Sequence, residues 1–311
     1  MSLLALQGAC VDLPMPGLFA RSRLNILSDI SLSLEPGETL GLVGESGSGK
    51  TTLARAILGL QALNDGTLTV LGKALKYRKD FSDVRAVVAM MFQDAVASLS
   101  PRMTVAHLIA EPFAIHRVPL VKGKVADLLA QVGLPADIAA RYPHELSGGQ
   151  ARRVGVARAL ALGPKLVIAD EPTAGLDVSV QAEILNLMRD LKDELHLSYL
   201  IISHNLAVVR HVADRIAVMY LGRLVETGPT AQVFAAPRHP YTQSLLAAEP
   251  RPDPRQRRAD LAIRGEIPSV LRRPAGCEFH TRCPQVQPRC RTEAPALRPL
   301  SPGHAARCHF A

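Results

Sequence analysis

Residues Gly44-Glu45-Ser46-Gly47-Ser48-Gly49-Lys50-Thr51 fit the spacing G-x-x-x-x-G-K-[ST], a P-loop, and Thr52 follows them. Each residue type has a chemical reason. The glycines let backbone N–H groups curl around a phosphate with no Cβ in the way. Lys50 can reach the terminal phosphates, and the Thr51 hydroxyl can ligate Mg²⁺. The flanks supply the context that the motif needs. Residues 38–43 are short and apolar, as a buried strand is, and residues 52–60 read as a helix. A helix N-terminus there adds partial positive charge. A chance Gly-rich turn would not fall between a strand and a helix in this order.

Further along, Leu166-Val167-Ile168-Ala169 runs into two carboxylates, Asp170 and Glu171. A solvated acidic pair is the bland alternative; after an apolar strand in a P-loop chain, Mg²⁺ binding and water activation fit better. His204 ends the apolar run 199–203, and Gln93 follows the run 87–91. Leu146-Ser147-Gly148-Gly149-Gln150 precedes a helical stretch, residues 151–162, so its N–H groups can make a second anion site. A Gly-rich helix cap on Ser147 fits that stretch too.

The elements that position these groups alternate. Residues 3–12 and 26–34 read as strands, Pro36-Gly37 and Asn64-Asp65-Gly66 as turns, and 67–70 as a further strand. The periodicity turns helical from about 104 to 138. Residues 178–196 read as a long helix, and 216–220 and 223–226 as a hairpin around Leu221-Gly222. Strands alternating with helices predict an α/β fold with a mostly parallel sheet. Ligands in such sheets sit at the carboxyl ends of strands, where the P-loop, Gln93, Asp170, Glu171 and His204 all fall.

Of the 311 residues, 48% are apolar, enough for a large core. No apolar run reaches the roughly 18 residues that a membrane span needs. The N-terminal stretch lacks a basic region and is short for a signal peptide, so a cytoplasmic protein is expected. The net charge of +8 is uneven: residues 251–311 hold twelve Arg, no Lys and five acidic residues, a net of +7, against +1 for the preceding 250. Such a tail suits contact with RNA, DNA or anionic lipid, or serves as a solubilising appendage. Nine prolines in the same 61 residues leave little room for regular structure there. Cys277, Cys283, Cys290 and Cys308 cluster in it, while Cys10 stands alone. In a reducing compartment such a cluster suggests metal rather than disulfides.

Together the motifs resemble the ATP-binding subunit of an ABC transporter, over nearly the whole chain. LSGGQ at 146–150 is the most specific of them, and Ala174-Gly175-Leu176-Asp177 matches the family's D-loop. Met91-Phe92-Gln93-Asp94, residues 97–105, His239-Pro240-Tyr241-Thr242, Gly265-Glu266-Ile267-Pro268-Ser269, Gly276-Cys277-Glu278-Phe279 and Arg282-Cys283-Pro284 resemble the oligopeptide, dipeptide and nickel importer branch. The resemblance implies a P-loop NTPase domain over residues 1–250, with a parallel core, an antiparallel β subdomain and a helical insert at about 100–160, then a small tail at 251–311. It implies ATP and Mg²⁺ as ligands of residues 44–52. Thr51, Gln93 and Asp170 would be at the metal, Glu171 on the attacking water, and His204 on the γ-phosphate or that water. ATP would be sandwiched between the P-loop and the signature of paired subunits.

The implied partners are two membrane permease subunits, a second ATPase subunit and, indirectly, an extracytoplasmic binding protein, with no nucleic acid, at the cytoplasmic face of the membrane. The competing class is a soluble ABC ATPase acting on ribosomes or DNA. Ribosomal members usually carry two ATPase domains and DNA-acting ones long coiled coils; this chain has one P-loop and no heptad run. The family usually stacks adenine on an aromatic residue near where Arg23 or Leu24 falls. Phe19 is the nearest aromatic, and Arg23 could stack instead.

The cysteine spacing, C-x5-C-x6-C-x17-C, lacks the tight pairs of structural zinc sites. The branch resemblance implies a [4Fe–4S] cluster; zinc and reduced packing cysteines stay open. His280, His304 and His309 are replacement ligands or surface residues.

Overall fold

A computed structural model describes residues 2–14, 23–76, 80–94, 96–248 and 265–311. Phe19 and residues 249–264, where the Arg-rich tail begins, lie outside them.

Strand β1 (Leu4–Pro14) buries Leu4 and Leu6, then shifts register before Ala9 with Gly8 at φ 58°, and buries Ala9 and Val11. The bulge re-aims the second half of the strand. β2 (Arg23–Leu34) buries Leu27, Ile30, Leu32 and Leu34. β3 (Thr39–Val43) is buried at every position, as a strand covered on both faces must be. Helix α1 (Lys50–Ile57) follows the P-loop, then β4 (Asp65–Val70) and β5 (Lys73–Ala74). Helix α2 (Phe81–Val87), which the apolar run did not announce, leads directly into β6 (Val88–Met91). The helical insert holds α3 (Val105–His116), α4 (Lys124–Gln131) and two 3₁₀ turns, and α5 (Gly148–Leu160) follows the signature. Then come β7 (Leu166–Asp170), α6 (Val178–Leu195), β8 (Ser198–Ser203), α7 (Leu206–Val212), β9 (Arg215–Tyr220), β10 (Arg223–Pro229), α8 (Thr230–Ala235) and α9 (Pro240–Ala248). The C-terminal segment carries α10 (Pro288–Thr292), β11 (Arg298–Ser301) and β12 (His304–Ala306).

Two units form: residues 1–34, 39–76 and 203–311 in one, and 35–38 and 77–202 in the other. In the first, an antiparallel sheet runs β2-β1-β4-β5. A second run, β11-β12-β10-β9-β3, is antiparallel except for the β9–β3 pair. Residues 265–311 join this unit: Ala306 and Ala305 of β12 pair with Glu226 and Thr227 of β10. Phe279 is buried in one cluster with Val43, Val218, Tyr220 and Tyr241. The β9–β10 hairpin turns at Leu221 (φ 43°) and Gly222 (φ 76°). Two successive positive-φ residues match the strand twist. A Cβ on Gly222 would stand 1.8 Å from the Ile26 carbonyl oxygen, so no larger residue fits.

In the second unit β8, β7 and β6 are parallel neighbours, with Asp170 at the carboxyl end of β7 in register with Ile202. All-parallel pairing with helical crossovers is the α/β arrangement that the sequence pattern predicts.

Candidate functional site

The P-loop leaves β3 at Gly44 and enters α1 at Lys50. Gly44, Gly47 and Gly49 all have positive φ, at 154°, 78° and 103°. At Gly44 a Cβ would meet the Met219 carbonyl oxygen at 2.2 Å, so space as well as conformation demands glycine. Lys50 is buried, and its Nζ donates to the Gly44 carbonyl at 2.7 Å and the Glu45 carbonyl at 2.9 Å. From outside the loop, the Gly222 N–H donates to the Ser48 carbonyl at 2.9 Å and the Glu45 N–H to Tyr241 Oη at 2.9 Å. The result is a cradle of backbone donors at a helix N-terminus, with a cation inside it. Thr51 and Thr52 lie in the first turn of α1. His204, also in this unit, follows β8, and the next residue, Asn205, caps α7 by accepting from Ala207 N and Val208 N.

In the second unit, Asp170 is 6% exposed at the end of β7. Glu171 takes φ 50°, a left-handed conformation that a glutamate adopts only when its surroundings impose it. Its N–H donates to the Ile202 carbonyl at 2.9 Å, which fixes the turn. Ser147 caps α5: its hydroxyl accepts from Gln150 N at 3.2 Å, and Gln150 Oε1 accepts from Ser147 N at 3.0 Å. The cap takes the Gln150 N–H, with Leu146 before it and Gly148 and Gly149 in the first turn. A Cβ on Gly149 would lie 3.3 Å from Val180, just past Asp177, which caps α6 through a bond from Val180 N. Small residues at the signature therefore allow close approach of the D-loop side.

Sequence reasoning missed Arg152. It is buried, and burial lowers its pKa from the ordinary arginine value while Asp94 raises it. Its Nη1 donates to the Gln93 carbonyl at 2.7 Å and its Nη2 to the Ala174 carbonyl at 2.8 Å. One guanidinium thus ties Gln93 to the loop after Glu171. Its place two residues after Gln150 was the available signal; carbonyl acceptors leave none.

The same unit carries an open groove of about 480 Å³, lined among others by Met90, Phe92, Glu111, Ile115 and Arg158. Phe92 and Ile115 are 47% and 68% exposed. Arg158 is anchored beside them through Ser98, at 2.8 Å to its carbonyl.

Cys277, Cys283, Cys290 and Cys308 converge on one enclosed cavity of about 20 Å³, with His239, His280 and His309 also in its wall. His304 lies elsewhere, buried, with Nε2 2.8 Å from Glu226. Burial pushes the Cys277 and Cys283 thiols up to about 12 and about 11. All the cysteines are free, and among the described residues no three His, Cys, Asp or Glu side chains stand in an arrangement able to hold a metal ion. Arg23 is exposed on β2 opposite Pro14.

The chain is similar to known proteins over most of its length. The "ABC transporter" family model matches residues 27–174, and "Oligopeptide/dipeptide transporter, C-terminal region" matches 225–290. The chain is 45% identical over 304 residues to the oligopeptide transport ATP-binding protein AppF of Bacillus subtilis, covering 94% of this chain and 92% of that one. It is 47% identical over 294 residues to OppF of Salmonella typhimurium, covering 92% and 87%. To the di/tripeptide transport ATP-binding protein DppF of Pseudomonas aeruginosa it is 45% identical over 301 residues, covering 95% and 93%. Among solved structures, the ATP-binding cassette MJ0796 as a dimer bound to ADP and Pi superposes with TM-score 0.65 at 25% identity, over 73% of this chain and 98% of that one. The cbiO1 protein of Clostridium perfringens gives 0.66 at 26%, over 75% and 91%.

Replacing Arg152 by methionine keeps bulk and removes both donors. Arg152→Met should lower phosphate release from ATP on the order of tenfold and stability by about 2 kcal/mol, as two carbonyls lose charged donors. Turnover assays and urea denaturation check this. Wild-type turnover would mean that Gln93 needs no such anchor.

Proposed function

This chain belongs to the ATP-binding subunits of ABC transporters, and from that premise we propose that it powers the import of dipeptides, oligopeptides or related small solutes, such as nickel chelates, across the cell membrane. It is an ATPase of that family. The observation that carries the reading is that one chain holds two helix N-termini of the kind that suits a phosphate: α1 after the P-loop and the Ser147-capped α5 after the signature. By resemblance to the family, each signature would face the P-loop of a second subunit. ATP then joins the pair, and hydrolysis releases it, a bistable switch set by one phosphate.

The roles follow from residue chemistry. Backbone N–H groups of residues 44–51 and the Lys50 ammonium hold the β- and γ-phosphates. Glu171 accepts hydrogen bonding from the attacking water and polarises it; His204 stabilises that water or the γ-phosphate. Thr51, Gln93 and Asp170 offer a hydroxyl, an amide and a carboxylate, all hard oxygen donors that suit Mg²⁺. When bound, that ion neutralises charge on the phosphates.

The groove beside Phe92 and Ile115 is the proposed docking place for a cytoplasmic helix of a permease subunit: it is concave, partly apolar and adjacent to Gln93. The proposed assembly is two permeases and two ATPase subunits at the cytoplasmic face, served by an extracytoplasmic binding protein, with no nucleic acid. No helix among the described residues is long and apolar enough to cross a membrane. Substrate choice lies with the other subunits.

The cysteine cavity is proposed to hold a [4Fe–4S] cluster, with zinc as the alternative. Four thiols gathered from 32 residues of chain support it as a donor set. The side chains would have to draw inward and lose their protons to bind. Either group would be structural, since ATP hydrolysis needs no redox step.

Glu171→Gln should lower kcat on the order of 100-fold while ATP binding persists. Near-normal turnover would remove Glu171 from the mechanism. Chain purified without oxygen should contain iron and sulfide and absorb visible light. Zinc alone would leave the zinc reading, and the absence of all of these would leave packing cysteines.

A further inference from the structure

Every handle of Glu45, the second residue of the P-loop, is taken. Its N–H goes to Tyr241 Oη at 2.9 Å, and its carbonyl accepts from Lys50 Nζ at 2.9 Å. Its carboxylate accepts both Nη atoms of Arg282, at 2.7 and 2.9 Å. The Arg282 side chain is only 5% exposed. It is seated by the C-terminal segment: its N–H donates to the Phe279 carbonyl at 3.0 Å, and its guanidinium lies over the Tyr220 ring at 5.8 Å. Phe279 in turn packs edge-on against Tyr220 and Tyr241, with ring centroids 5.3 Å apart in both pairs. The segment that carries the cysteines thus grips the loop that carries the phosphate donors, within one unit.

A carboxylate on a phosphate-binding loop is an electrostatic liability: its charge repels the ligand unless it is cancelled and fixed. A buried forked guanidinium does both, and an ammonium cannot reproduce the fork. We propose that Arg282 is a positioning residue for nucleotide binding, holding the Glu45 carboxylate and cancelling the charge that Glu45 would otherwise turn on incoming phosphates. The inference rests on the reading of residues 44–51 as the ATP site.

The test is ATP affinity, measured by calorimetry on the full-length chain with Mg²⁺ present. Arg282→Met should weaken binding on the order of tenfold, because a unit charge is freed beside the cradle. Adding Glu45→Gln to that variant should restore affinity to within about threefold, since the coupling between contacting residues is then gone. Arg282→Lys should fall between wild type and Arg282→Met. A merely structural clamp would not give the rescue. Wild-type affinity in Arg282→Met, or a double variant as weak as the single one, would overturn the proposal. If Arg282→Met does not fold, Arg282→Lys with and without Glu45→Gln makes the same comparison. If the wild-type chain binds no ATP, the P-loop reading itself fails, whatever the variants do.

Discussion

A phosphate cradle made of glycines cannot hold its own shape. Three of its eight residues are glycines, each free to leave the positive-φ conformation that the loop needs. In this chain the shape is imposed from around the loop. Lys50 folds back on the Gly44 and Glu45 carbonyls. Gly222, at the tip of the β9–β10 hairpin, donates to Ser48. Tyr241 and Arg282 take the remaining bonds of Glu45. The aromatic cluster of Tyr220, Tyr241 and Phe279 keeps these last two in place. The first unit is in this sense a mount for eight residues, and its C-terminal segment is part of that mount.

The second unit solves a different problem. Asp170 and Glu171 are adjacent in sequence yet are assigned different tasks, so their side chains need different directions. Asp170 still belongs to β7, while Glu171 has already turned into a left-handed conformation held by its bond to Ile202. That strain persists because the neighbouring strand fixes it. Arg152 extends the same order to Gln93 and Ala174. The signature helix adds a capped N-terminus with glycines where α6 comes near.

What the sequence made legible follows from distance along the chain. The P-loop, the signature, the Asp170-Glu171 pair and the Leu221-Gly222 turn are contiguous, and each has a local physical reason written in its residues. The Arg282–Glu45 pair spans 237 positions, and neither residue announces the other. Arg152 offered no signal beyond its place after Gln150, because its partners are carbonyls, which every residue has. The high proline content of the tail suggested little regular structure, yet β12 needs only three residues to pair with β10. The cysteine spacing gave a cluster in sequence; only the fold brings all four to one cavity and sends His304 away to Glu226.

This ATPase is proposed to work docked to a membrane transporter. The most direct measurement is capture of the full-length chain from native membranes, with identification of its companions by mass spectrometry. The account predicts two multi-spanning permeases and an ATPase partner, either a second P-loop subunit or another copy of this chain. Ribosomal proteins or DNA-repair factors, with no membrane protein among them, would contradict it and shift attention to the Arg-rich C-terminal stretch.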